Sequence, residues 1–125
     1  MAAQWLFPQA VGPSFDVQGP AAIILLVLFA PFVETLIMAA ALELMLRLKV
    51  PQGAAILLSA IGWGVAHSWA APAWGLVIWW PFLIFSTLYV TWSRRSIWRA
   101  VAVVTAVHAL QNLGPALLLA SGSIS

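Results

Sequence analysis

From residue 50 to residue 93 the chain carries no Asp, Glu, Lys or Arg. A run that long cannot form the surface of a water-soluble domain, in which about a quarter of the residues are charged. It is long enough to cross a bilayer twice, because one helical crossing takes about 20 residues. Apolar stretches of similar length flank it, so four spans are expected, at 21–46, 52–70, 73–91 and 98–120. Period-two alternation is missing, which argues against a barrel, and a helix satisfies its own backbone in lipid. The expected fold class is therefore all-α, an integral membrane four-helix core. Composition agrees: 64% of the 125 residues are hydrophobic and 6% are charged, which excludes an ordinary cytosolic globule. There is no cysteine, so a disulfide framework, a thiolate metal site and a cysteine nucleophile are excluded as well. The net charge of +2 is too small, and too confined to loops, to suggest nucleic acid as a partner.

The breaks between spans are legible. Pro51 is expected to start the second helix, where a missing N–H costs nothing. Pro72 follows that helix, and Ser93-Arg94-Arg95-Ser96 separates the third span from the fourth. Pro31, Pro81 and Pro115 fall inside spans, where each frees a carbonyl. Arg47 and Lys49 lie between spans one and two, and Arg94, Arg95 and Arg99 between three and four. Those two loops share a face, and the positive-inside rule makes it cytoplasmic, with both termini on the non-cytoplasmic side. The expected location is a bacterial inner membrane. Residues 1–19 lack the basic start and continuous apolar core of a signal peptide. With Trp5, Phe7 and Phe15 among prolines, they read as an interfacial segment ahead of a single domain at 20–120 and a short tail at 121–125. Trp69, Trp74, Trp92 and Trp98 near the span ends fit an aromatic belt.

Four polar residues stand out within the spans: Glu34, His67, His108 and Asn112. A carboxylate at mid-span costs roughly 2.5–3.5 kcal/mol on insertion scales, so such residues face inward and have a task. Counted from the basic loops at 1.5 Å per residue, Glu34 and Asn112 lie about 20 Å deep, His67 about 24 Å and His108 about 14 Å. Three helices thus bring polar groups to similar depth. His108 and Asn112 are four apart and share a stripe. Ala60, Gly64 and His67 share a face on the second helix, and small residues there let a neighbour approach closely. Each residue taken singly has a plainer reading, as a packed histidine or as interhelical glue; together they read as one shared site. Glu43 stands four residues before Arg47, the favourable order for a helical ion pair, and is read as structural. Asp16 precedes the first span and reads as solvated.

A carboxyl held away from water is a stronger base than one in solution, and Glu with His can activate water. A second His with an Asn can donate to a developing oxyanion. Those are the parts for amide hydrolysis without a covalent intermediate. One Glu and two His also match a zinc site with an open position, drawn from three helices because no HExxH spacing occurs. The sequence leaves both routes to water activation open, and no cofactor is assigned.

The ordered motifs resemble those of the CPBP family of intramembrane endopeptidases (CAAX proteases and bacteriocin-processing enzymes, also called Abi). That family carries EExxxR, FxxxH and HxxxN on successive helices. Here the first is Glu34-Thr35-Leu36-Ile37-Met38-Ala39, the second Trp63-Gly64-Val65-Ala66-His67, and the third His108-Ala109-Leu110-Gln111-Asn112. The resemblance implies that Glu34 is the catalytic glutamate, that His67 helps it activate water, and that His108 and Asn112 form the oxyanion site. It implies a membrane-embedded or lipidated peptide as substrate. The second Glu is Thr35 and the Arg is Ala39, a joint loss that leaves no orphan charge in the membrane. Two other functions compete. One is a non-catalytic scaffold in a larger membrane complex with other subunits, which suits the Trp-rich third span. The other is a proton or ion path, for which four short helices hold too few ionisable groups.

Overall fold

A computed structural model describes residues 19–121. The interfacial segment expected at 1–19, with Asp16, lies outside the described residues except for Gly19, and so does the tail beyond Ser121. The described chain is helical: α1 (Pro20–Ile23), a π-helical turn π1 (Ile24–Phe29), α2 (Ala30–Arg47), α3 (Gln52–Ala70), α4 (Gly75–Ser93) and α5 (Ile97–Ala120). Four stretches, Ile24–Arg47, Gln52–Ala70, Gly75–Ser93 and Ile97–Leu118, are long and apolar enough to cross a membrane. The expected spans agree with them to within a few residues. The protein is an integral membrane protein.

The helix ends show why the chain turns where it does. Past Arg47, the Val50 N–H donates to the Met45 carbonyl and the Lys49 N–H to Leu46, both at 3.0 Å. This paired closure needs a left-handed residue, and Lys49 supplies it with φ of 62° where glycine is the usual choice. α3 begins at Gln52 as expected, with Pro51 as its N-cap rather than in its first turn, and the Pro51 carbonyl accepts from Ala55 at 2.9 Å. After α3, a turn carrying Pro72 closes with Trp74 N–H on the Ala71 carbonyl at 2.9 Å. Ser96 caps α5, its Oγ accepting the Arg99 N–H at 3.3 Å.

The described residues fall into two compact units, 41–87 and 19–40 with 88–121. In the first, α3 packs on α4. Gly64 is buried, and a Cβ there would lie 3.1 Å from the Gly75 carbonyl oxygen and from Trp79 Cβ. At Gly75 a Cβ would collide with Ser68 Oγ and the Gly64 backbone. The small-residue face expected on this helix is therefore a contact face, and its closeness depends on a second glycine opposite. Farther along, Ser86 Oγ donates to Ser59 Oγ at 2.9 Å between two buried hydroxyls. In the second unit, π1 and α1 lie against α5. Pro31, Thr35, Met38, Tyr89, Val104 and His108 are buried there.

Candidate active site

The second unit brings Glu34 and His108 together. Glu34 sits one turn into α2, and His108 sits midway along α5. His108 Nε2 is 3.2 Å from Glu34 Oε2, with the imidazole side chain 5% exposed and the carboxylate 26%. An acid and an imidazole on separate helices thus share a proton-bearing contact inside a span. Such residues are costly in lipid and stay only where partners and a task offset the cost.

Asn112 follows one turn after His108, and its Nδ2 donates to the Leu26 carbonyl at 2.9 Å. That carbonyl is available for a reason visible in the backbone. In π1 the Ala30 N–H has moved to the Leu25 carbonyl. The α-helical donor of Leu26 is therefore spent, and its π-helical donor would be Pro31, which has no N–H. The Asn112 amide takes the missing place. Of its two hydrogens, one is committed to the backbone.

His67 belongs to the first unit. Its Nδ1 lies 2.8 Å from the Trp63 carbonyl, one turn back on α3. A carbonyl only accepts, so Nδ1 carries the proton, and a neutral ring then has its lone pair on Nε2. Phe82 of α4 stacks on Trp63, with centroids 4.4 Å apart and planes 13° from parallel, and sits 5.7 Å from the His67 ring. The ring is thereby held from two sides, by a backbone hydrogen bond and by an aromatic neighbour. The aromatic ring of the second motif contributes the surface on which Phe82 stacks; the carbonyl is a backbone atom.

Thr35 and Ala39, at the departing motif positions, are buried at 1% and 6% exposure. The Thr35 hydroxyl is buried without a hydrogen-bond partner among the described residues. Glu34 and His108 are two donors of the kind zinc takes, and among the described residues no three His, Asp or Glu are gathered as a metal-binding group. The second unit also carries an open apolar groove of about 410 Å³, lined by none of Glu34, His108 and Asn112. Its walls include Val27, Phe32 and Ala109, sequence neighbours of Leu26, Glu34 and His108, together with Trp98 and Val101.

The pairing expected from the sequence was Glu34 with His67 and His108 with Asn112. The contact drawn between Glu34 and His108, and the backbone partner of Asn112, were not in that reading. The one available signal for the latter was Pro31, which predicts a freed carbonyl nearby.

Comparison with curated proteins and with solved structures gave no match. Comparison with protein families matched residues 16–114, about four fifths of the chain, to the family described as type II CAAX prenyl endopeptidase Rce1-like. The matched stretch contains Glu34, His67, His108 and Asn112 in their motif order. By that match the chain belongs to the type II CAAX prenyl endopeptidase Rce1-like family.

Proposed function

We propose that the protein is an intramembrane endopeptidase of the CAAX type, acting on a membrane-embedded or lipidated peptide. The observation that carries this reading is the 3.2 Å contact between Glu34 and His108, within a chain of that family. In this reading Glu34, assisted by His67, takes a proton from water as the water oxygen attacks the scissile carbonyl. The Asn112 hydrogen not held by Leu26 donates to the oxyanion that forms, and the His108 N–H turns to it from Glu34 once that carboxylate has taken the proton. The C–N bond then breaks, and the proton held by Glu34 passes to the leaving amine. The Nδ1 proton of His67 supports its part, because it leaves Nε2 as the basic nitrogen. The apolar groove offers surface to a substrate that is itself lipid-soluble. No metal is assigned a step. The basic turns at Arg47 and Lys49 and at Arg94, Arg95 and Arg99 are assigned to the cytoplasmic side of a bacterial inner membrane.

The test is cleavage of a prenylated C-terminal peptide by purified protein in nanodiscs. Glu34→Gln and His67→Ala should each reduce turnover by about 10²–10⁴, the usual worth of acid–base catalysis, with insertion unchanged. Cleavage by Glu34→Gln at the parental rate would remove the mechanism. Intact complex assembly by that variant with no cleavage by the parent would favour the scaffold reading.

A further inference from the structure

We infer that Pro31 is a positioning residue for the site, acting through the Leu26 carbonyl on the Asn112 amide. In an unbroken α-helix a proline at 31 would strip the carbonyl of Val27, four residues back. Here the Ala30 N–H is spent on Leu25, so the Leu26 carbonyl, five residues before Pro31, is also without a donor in its own helix. Two features are needed together. The π turn diverts one donor, and the proline removes the other. The exposed lone pairs are then met by Asn112 Nδ2 at 2.9 Å.

This bond is a polar attachment between the first span and α5, and it has a counterpart. The counterpart is Glu34 to His108. Leu26 precedes Glu34 as Asn112 follows His108, so the attachments match two antiparallel helices. One attachment leaves α5 free to turn about the contact. Two, one turn apart on α5, fix both its rotation and its height. With one Nδ2 hydrogen held by Leu26, the amide plane is set and the second hydrogen has a defined direction. Pro31 is buried at less than 2% exposure, so its ring also holds the turn from within the packing.

The kinetic part of this inference rests on the proteolytic reading; the structural part does not. Pro31→Ala restores an N–H and lets the segment satisfy Leu26 internally. Because proline is the poorest residue in a helix interior, this variant should unfold at the parental temperature or above. Its kcat should nonetheless fall about 10- to 100-fold with KM within twofold, short of or equal to the 10²–10³ lost with a whole oxyanion donor. A merely structural proline would not separate stability from turnover in that direction. Asn112→Ala should lower the unfolding temperature in the parent and leave it unchanged in the Pro31→Ala background, since the partner carbonyl is already satisfied there. Pro31→Ser, which also restores the N–H, repeats both arms if Pro31→Ala fails to insert. Equal destabilisation by Asn112→Ala in both backgrounds would overturn the latch. Full kcat in Pro31→Ala would overturn its positioning role. If the parent cleaves nothing while the thermal coupling is present, the latch stands and the proteolytic reading is what fails.

Discussion

Replacing Gly75 by alanine adds one methyl group at the point where α3 and α4 come closest. That methyl would occupy the space of Ser68 Oγ and of the Gly64 carbonyl. The hydroxyl can swing aside, but doing so gives up its 3.0 Å bond to the Gly64 carbonyl, worth about 0.5–1.5 kcal/mol. The carbonyl cannot swing, because it is fixed in the α3 backbone. The start of α4 must therefore retreat, an overpacking cost of about 1–3 kcal/mol. The expected loss is about 2–4 kcal/mol. Two sister glycines on α3 serve as controls. Around Gly62 nothing lies within 4 Å of an added Cβ, so Gly62→Ala should gain up to about 1 kcal/mol from helix propensity. At Gly64 the nearest atoms are at 3.1 Å, and Gly64→Ala should fall between the two. Unfolding in mixed micelles, followed by tryptophan fluorescence, measures all three. Ser68 and Gly64 flank His67 on α3, so turnover should drop with stability in Gly75→Ala. A Gly75→Ala protein as stable as Gly62→Ala would refute the packing argument.

Other expectations follow from single contacts. His108→Leu should cost about 1–3 kcal/mol, the penalty for a half-buried polar group that loses a partner; adding Glu34→Leu should recover most of that loss in the same micelle titration. Ser86→Ala should cost about 0.6 kcal/mol, the average for a hydrogen bond between membrane helices, and Ser59→Ala should add little on top, as a double-mutant cycle would show. Lys49→Gly should raise stability by about 1 kcal/mol by relieving a left-handed backbone at a non-glycine residue, seen as a higher unfolding midpoint. A lowered midpoint there would mean the lysine ammonium matters more than its φ angle.

The spans were legible because length and hydropathy decide what lipid accepts, and the ends of α3 were legible because Pro51 and Pro72 punctuate them. The four polar residues stood out for the same reason that they are costly. What the sequence could not carry was written in backbone atoms. The run Ile24–Phe29 is uniformly apolar, and nothing in its side chains distinguishes a five-residue hydrogen-bond step from a four-residue one. The partner of Asn112 is a carbonyl, which every residue has, so its identity waits on the register. Gly64 was flagged by the company of Ala60 and His67, whereas Gly75, near the start of the third span, had no polar or small neighbour on its face to mark it. Lys49 stands where glycine is usual, so the Schellman closure had no sequence mark.

The wide turn at Ile24–Phe29 also changes how the N-terminal part of the first span is counted. A π turn takes up about one more residue than an α turn, and one residue of α-helix is about 100° of rotation. Faces above and below it are consequently out of phase by that angle. A wheel projection drawn outward from Glu34 in steps of three and four loses its alignment beyond Phe29, and at Pro20–Ile23 it selects side chains from a different quadrant. Any cysteine-labelling or crosslinking scan of this segment should be offset by one position there.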